Sequence, residues 1–542
     1  MSVENWKLNV VLYRWLLPIV TGLLLATAFP PFNISQSAWL AIVPMLFAFE
    51  DCSAKQAFCR GYVAGLVFFG ATVWWTVYTT VAGTPLLLAL LGTVALIAFL
   101  ALYFGTFGAL FAIANTMFDK SNTIERSSAR SREGDSVTRN LILAMAGTAG
   151  WVTLEWVRGV FLFGGFSWNF IGVAFWQSAP LVQFASVTGV YGVSALVCFV
   201  NFALYLTLRR FFRQMREPET GQRLSWEFYA AMALVCAAFL YGWREIQHGG
   251  GQQRTLRVVV VQGNIPQMLK FEASQKPMIL ERYRALTKTV TANPSDLIIW
   301  PETATPDALR YDPESYGAVT GLVAQAQTPL FTGTIDADPA ANGAAYYNAA
   351  MLVLPDGTLQ GVYRKIHLVP FGEYVPLRKA LPFMKWLTQI PDSFERGQEH
   401  TLFRVNDIPF GAIICFEDAL PDLYRRFVQR GAEFMVNLTN DAWFKTSPAA
   451  EMHLANATFR AVENHRPLVR VTNNGMTCIV DEFGIMRSLL APFAEGAANW
   501  ELSVPQVRTQ TFYTRFGDVF VAGCAMVTAL GIAVALFRRR SS

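Results

Sequence analysis

Gly411-Ala412-Ile413-Ile414-Cys415-Phe416-Glu417-Asp418 runs four small or apolar residues straight into a cysteine and two carboxylates. A short apolar run of this kind fits a strand buried on both faces, the hallmark of α/β sheets covered by helices. Catalytic groups in such folds gather where strands end. Two other stretches have the same form. Leu297-Ile298-Ile299-Trp300-Pro301-Glu302 delivers a carboxylate just past a proline, and the segment from Tyr363 to Glu373 holds Lys365 in extended sequence. Taken singly, such residues are a cap, a solvated lysine and a core cysteine. Three together, in this order, form a more specific pattern.

Working outward, the segment from about Leu256 to Thr514 has apolar runs of strand length: 256–261, 297–300, 330–334, 350–354, 411–414, 434–438, 468–472 and 478–480. Helical stretches at 278–291 and 449–463 alternate with them, giving an α/β architecture. Pro355-Asp356-Gly357 and Asp481-Glu482-Phe483-Gly484 read as hairpin turns. Gly249-Gly250-Gly251 reads as a flexible junction in front of this domain.

Beyond these limits the chain is too apolar to be soluble throughout: 53% of its 542 residues are hydrophobic and only 15% charged, against roughly 25% charged in soluble domains. Eight apolar stretches stand out, at 12–29, 38–49, 57–77, 85–114, 141–157, 181–206, 228–243 and 519–537. A bilayer core needs roughly 20 apolar residues of helix. The second stretch is short and contains Pro44, and the fifth is interrupted by Glu155 and Arg158, so a re-entrant segment stays open at either. Phe29-Pro30-Pro31-Phe32 lacks a cleavage pattern, so the first stretch is expected to be a retained helix. Lys and Arg cluster at 55–60, 120–139, 209–223 and 538–540, while the intervening connections at 30–36, 79–84 and 161–180 have none. The positive-inside rule then puts both termini in the cytoplasm and the α/β domain outside. The expected division is 1–243 for seven helices, 244–515 for the outer domain and 516–542 for a last helix and tail. The Ser- and Arg-rich stretch from Asp119 to Arg139 is expected to be a flexible connection.

A net charge of +5 is too slight for nucleic-acid binding. The seven cysteines have no CxxC spacing and the five histidines no HExxH spacing, so neither a disulfide framework nor a metal site is expected. Cys478 reads as core. His367 stands two residues after Lys365 and leaves a Cys-His dyad as an alternative. A cysteine thiolate suits acyl transfer, because the thioester it forms can be opened by an amine to a more stable amide without ATP or coenzyme A. No Gly-rich phosphate loop is present, and no cofactor is expected.

Glu302, Lys365 and Cys415, in these surroundings, resemble the Glu-Lys-Cys triad of the nitrilase, or carbon–nitrogen hydrolase, superfamily. The resemblance extends to Val260-Val261-Gln262-Gly263-Asn264-Ile265, Tyr347-Asn348 and Asn437-Leu438-Thr439-Asn440-Asp441-Ala442-Trp443-Phe444. With helices on both sides of the domain, and with the segments Val369 to Pro376 and Arg470 to Gly475, the whole chain is similar to the bacterial apolipoprotein N-acyltransferase family. That resemblance implies an αββα sandwich beside a multi-pass helical domain of about eight helices in the bacterial inner membrane. It implies transfer of an acyl chain from a phospholipid, phosphatidylethanolamine being the usual donor, to the α-amine of the S-diacylglyceryl-cysteine of apolipoproteins. Glu302 is then the base, Cys415 the nucleophile, and Lys365 the cation that stabilises thiolate and oxyanion, with the Phe416 N–H as second donor. Glu373 is expected to orient Lys365 or assist a proton transfer, Glu417 to cap the following helix or hold a nearby loop, and Asn348 and Asn440 to tie loops together. Phe271 and Phe416 stand where the family often has tryptophan and tyrosine. The segment Leu377 to Ile390 mixes apolar and basic residues like an interfacial arm, or like a helix packed on its own domain.

Two other readings survive at this level. A membrane-tethered amidase would build the same acyl-enzyme and give it to water. A non-catalytic scaffold that binds lipids or lipoproteins would not need Cys415 at all.

Overall fold

The computed structural model describes residues 3–79, 85–120, 129–216, 224–249, 251–340, 343–376, 394–506 and 509–540. It divides into two units. One comprises Met1–Trp74, Leu91–Trp243 and Asp518–Ser542, the other Trp75–Leu90 and Arg244–Gly517. Trp75–Leu90, expected with the helices, clusters with the second unit instead.

The second unit carries twelve strands: β1 (Gln253–Gln262), β2 (Leu297–Trp300), β3 (Leu330–Ala340), β4 (Gly343–Val353), β5 (Leu359–Arg364), β6 (Leu402–Val405), β7 (Ile408–Ile414), β8 (Phe434–Thr439), β9 (Leu468–Thr472), β10 (Cys478–Val480), β11 (Met486–Leu489) and β12 (Gly496–Pro505). They form two six-stranded sheets, ordered β12-β1-β2-β3-β4-β5 and β11-β10-β9-β8-β7-β6. In each, three parallel strands occupy the middle (β1-β2-β3 and β7-β8-β9) and antiparallel strands flank them. Parallel strands covered on both faces read as near-continuous apolar runs, broken only where a buried polar group finds a partner. β2, β7, β8 and β9 are accordingly buried at every residue. The sheets pack face to face, with the Phe331 ring of β3 4.8 Å from Phe403 and 5.2 Å from Phe410 of the other sheet. Helices Lys276–Val290 and Pro313–Ala326 cover the first sheet through Ile279, Tyr283, Val319 and Leu322. Pro421–Gln429 and Ala449–Asn464, buried at every residue but Glu451, belong to the second sheet, where Phe427 lies against Gly411. The result is an αββα sandwich. All eight expected strands are present. β5, β6, β11 and β12 lack an apolar run, being partly exposed along much of their length.

Among the described residues, the first unit and the segments bordering it contain seven helices of 19 residues or more: α1 (Val3–Thr27), then α2 (Ala54–Thr72), α3 (Leu86–Lys120), α4 (Ala129–Val160), α5 (Val190–Arg216), α6 (Trp226–His248) and α7 (Val519–Arg540). Four meet both length and apolarity for a bilayer crossing: Leu86–Asn115, Val190–Arg216, Trp226–His248 and Val519–Phe537. Small residues let backbones approach closely. A Cβ at Gly61 would lie 2.3 Å from the Phe104 carbonyl oxygen, and one at Gly108 2.4 Å from that of Ala57.

Three stretches differ from expectation. The second apolar stretch is a 3-10 turn, Ser35–Trp39, and a six-residue helix, Val43–Ala48, broken ahead of Pro44. Its freed backbone groups are taken up by side chains: Ile42 N–H donates to Asn201 Oδ1 at 2.8 Å, Asn201 Nδ2 donates to Ala38 O at 2.8 Å, and Met45 N–H donates to Thr21 Oγ1 at 3.0 Å. The fifth stretch is one continuous helix. Glu155 accepts from Ile171 N–H (2.8 Å) and Trp151 Nε1 (3.0 Å), and Arg158 donates to Trp168 O (2.6 Å) and Asn169 O (3.2 Å), so both charges hold the irregular segment that follows. The stretch from Asp119 to Arg139 is not all loop, because α3 runs to Lys120 and α4 starts at Ala129.

Candidate active site

Glu302, Lys365 and Cys415 follow the ends of β2, β5 and β7. Each arrives by a local device. Past Pro301 the chain crosses β3 so closely that a Cβ at Gly333 would lie 2.5 Å from the Pro301 carbonyl and 2.6 Å from Glu302 Cα. Lys365 is fixed by its own N–H, which donates to Asn348 O on β4 at 2.8 Å. Cys415 takes φ +53° as the chain leaves β7 for the 3-10 turn Cys415–Ala419. A non-glycine residue held in that region costs of order 1–3 kcal/mol and persists only where the surroundings impose it.

The three side chains are buried, at 6%, 1% and 8% exposure. Lys365 Nζ lies 2.9 Å from the Glu373 carboxylate and 3.9 Å from Glu302 Oε1, so Glu373 is its nearer partner. Asn348 Nδ2 donates to both carboxylates at 2.8 Å, holding them side by side. Val369 N–H donates to the other Glu373 oxygen at 2.8 Å. Glu302 Oε2 is buried and makes no hydrogen bond among the described residues, which leaves one carboxylate oxygen open for a proton.

Burial pushes the Cys415 thiol well up, Glu302 adds to this and Lys365 opposes it. The resting residue is therefore a thiol that needs a base. Burial also raises Glu302, against the field of Lys365. A raised carboxylate is a stronger base, better matched to a thiol. Burial disfavours the Lys365 ammonium, yet Glu373 and Glu302 outweigh it and hold Lys365 charged. A fixed cation in a dry site is suited to stabilising a developing oxyanion. Phe416, half-buried, is the second residue of its 3-10 turn, where the first amide N–H groups have no acceptor within the turn.

Glu417 is wholly buried and acts as a clamp. Its Oε1 accepts from Ile366 N–H (2.8 Å) and His367 N–H (2.9 Å), its Oε2 from Ile414 N–H (2.8 Å), and Tyr363 Oη donates to it at 2.9 Å. The residues flanking Lys365 and Cys415 are thereby tied to one carboxylate. Asn440 donates to Gln267 Oε1 at 2.5 Å and accepts from Asn473 Nδ2 at 3.0 Å, joining three loops. Burial lowers the pKa of His367, Arg396 and Arg426 lower it further, and Asp422 opposes them; its main-chain N–H is the group held by Glu417. Cys478 is buried within β10. The side chain of Phe271 and the segment Leu377 to Ile390 lie outside the described residues.

Sequence reasoning missed two features. Behind Cys415 is a buried ionic cluster: Arg470 donates to Asp418 at 2.6 Å and to Asp441 at 3.2 Å, and His453 lies 2.8 Å from Asp418 and 3.0 Å from Asp441. Burial and Arg470 work against the His453 cation, but Asp418 and Asp441 together outweigh them and raise its pKa. A Cβ at Gly475 would lie 1.8 Å from Asp441, so this cluster needs glycine there. The second feature is Lys270, 7% exposed, whose Nζ donates to the Glu302 carbonyl oxygen at 3.1 Å. Its only sequence signal is a lysine close behind Gln262-Gly263-Asn264-Ile265-Pro266.

Residues 21–203 match the family model described as the apolipoprotein N-acyltransferase N-terminal domain, and residues 257–511 match the carbon–nitrogen hydrolase model. A protein of Geobacter metallireducens named apolipoprotein N-acyltransferase is 34% identical over 534 residues, covering 97% of this chain and 96% of its own. Proteins of the same name are 31% identical in Methylococcus capsulatus, over 97% of both chains, and 30% identical in Allorhizobium ampelinum, over 92% of this chain and 90% of its own.

Proposed function

The chain belongs to the apolipoprotein N-acyltransferase family, and from that premise we propose that it carries an acyl chain from a phospholipid to a lipoprotein amine through a thioester on Cys415. The observation that carries this reading is the meeting of Glu302, Lys365 and Cys415 at three strand ends, buried, with Glu302 Oε2 unengaged. Glu302 takes the thiol proton as sulfur attacks the ester carbonyl. Lys365 and the Phe416 N–H receive the oxyanion. The glycerol oxygen leaves with the proton from Glu302, and lysophospholipid departs. The α-amine of an S-diacylglyceryl-cysteine then attacks the thioester, and Glu302 moves a proton from nitrogen to the departing sulfur. Glu373 and Asn348 position Lys365 and Glu302, while Glu417 holds the two strand ends together.

Phosphatidylethanolamine is the proposed donor, and the α/β unit is proposed to face the periplasm from the inner membrane, with both termini cytoplasmic. The charge-free connections at 30–36, 79–84 and 161–180 support that orientation. The test supplies phospholipid labelled in its sn-1 chain together with a diacylglyceryl peptide. Label in an amide, preceded by a thiol-sensitive adduct that Cys415→Ala abolishes, is the expected result. Label appearing only as free fatty acid would make the protein a hydrolase, and transfer surviving Cys415→Ala would remove the thioester.

A further inference from the structure

We propose that Lys270 is a second base of the reaction, the acceptor that deprotonates the incoming ammonium group before it attacks the thioester. The inference rests on the acyl-transfer reading above and extends it. Proton accounting sets the requirement. In the first half, Cys415 gives up one proton and the departing glycerol oxygen receives one, so Glu302 ends as it began. In the second half the α-amine, with an ordinary pKa of about 7.7–8.0, arrives mostly with three protons at neutral pH. One stays on the amide nitrogen as the C–N bond forms and the C–S bond breaks. One passes through Glu302 to the sulfur. The remaining one needs another acceptor, and the turnover as a whole releases it to water.

That acceptor must be buried beside Glu302 and have a lone pair to offer. Most neighbouring groups are committed. Glu373 is engaged by Lys365, Asn348 and Val369 N–H. Both Glu417 oxygens accept hydrogen bonds from the strand ends. His453 is enclosed between Asp418 and Asp441. Lys365 is held charged by Glu373 and Glu302 against its burial. Lys270 differs. Its Nζ donates to the main-chain oxygen of Glu302, and no carboxylate lies within ion-pair distance of it among the described residues. Burial lowers it to about 8, so that near neutral pH a minor fraction is the free amine with its lone pair, and among the described residues Glu302 is the one charged group that acts against this. Glu302 is itself faced by Lys365 and Glu373. A base of that strength is matched to an α-amine, so a proton passes between them with little free-energy change. The position is also fixed. Lys270 stands on the 3-10 turn Gln267–Phe271, pinned at its start by the Asn440 to Gln267 bond and by Ile265 N–H donating to Asn473 Oδ1 at 3.0 Å.

The test separates the two halves in the full-length protein, using labelled phospholipid alone for thioester formation and then a diacylglyceryl-cysteine peptide for its discharge. Lys270→Arg keeps the charge but cannot give up its proton; Lys270→Met removes both. Both variants are expected to form the thioester within a few-fold of wild type, then discharge it about 10²-fold more slowly, with kcat for the peptide reduced and KM little changed. Thioester would accumulate. Discharge by Lys270→Arg at the wild-type rate would mean that only the cation matters and would overturn the proposal, as would loss of thioester formation in a folded Lys270→Arg protein. Should Lys270→Met fail to fold, Lys270→Arg decides alone. Absence of any thioester in wild type would overturn the acyl-transfer reading and this inference with it, whereas a normal thioester discharged normally by Lys270→Arg overturns only the latter.

Discussion

Glu302 has to be ionised to take the thiol proton, and its surroundings make that harder than for an exposed glutamate. Burial raises its pKa from the ordinary 4.5; Lys365, the bond from Asn348 and Lys270 pull the other way without cancelling the rise. A raised carboxyl gains its proton earlier as pH falls, so the base form is lost at a pH where a solvated glutamate would still be charged. Single-turnover thioester formation is therefore expected to fall on the acid side with a midpoint above 4.5, and Glu302→Gln to abolish the reaction at every pH. A midpoint at or below 4.5 would mean that another group is the base. The residues of this site were legible in unequal measure. Glu302 and Cys415 each terminate an apolar strand, a signal carried within six or eight residues of sequence. Lys365 was readable only beside the other two, because β5 has little apolar character. Lys270 follows, and Arg470 begins, a stretch that carries the family resemblance, but neither role was readable there, since each depends on partners such as Glu302, 32 residues away in sequence, and Asp418, 52 away.

At the level of elements, burial on both faces decided what could be read. β2 and β7 are apolar, and β8 and β9 largely so, because helices and the opposing sheet cover them, whereas β12 joins the first sheet by pairing antiparallel with all ten residues of β1, a partnership formed across more than 230 residues that no local pattern announces. The broken second apolar stretch follows the same logic. Its sequence was apolar enough to suggest a helix, but Pro44 denies a continuous hydrogen-bond ladder, and irregular backbone at membrane depth is tolerated only where protein groups satisfy it. Asn201 supplies that satisfaction twice, to Ile42 N–H and Ala38 O, while also bonding Val197 O in its own helix at 2.9 Å. Asn201→Ala would leave a buried N–H and a buried carbonyl without partners, at about 1–3 kcal/mol each. A clear loss of thermal stability in detergent is expected, with Asn201→Leu no better despite its volume. Stability equal to wild type in both variants would show that the break is held by something other than this side chain.

For the whole molecule, once the N-terminus is placed in the cytoplasm, the side on which the α/β unit stands depends on whether that broken stretch counts as a crossing. Six of the long helices precede or reach Arg244. An even number of crossings would return the unit to the side of the N-terminus, and the basic connections at 120–139 and 209–223 would then both stand outside, against the usual bias of Lys and Arg. Counting Ser35–Ala48 as a crossing restores alternation throughout. As one continuous helix its fourteen residues would reach about 21 Å at 1.5 Å each, short of a bilayer core of about 30 Å, but Ala41–Ala48 is mostly buried, and a segment enclosed in that way need not meet lipid along its length. The satisfied backbone of the break is what such an enclosed crossing requires. Cysteine labelling tests the conclusion directly. In a variant without the natural cysteines, Asp407→Cys, in the exposed turn between β6 and β7, should react with a membrane-impermeant maleimide on intact spheroplasts. Met215→Cys, 67% exposed at the basic end of α5, should react only after permeabilisation. The opposite pattern would put the thioester chemistry in the cytoplasm and reduce Ser35–Ala48 to a re-entrant fold that crosses nothing.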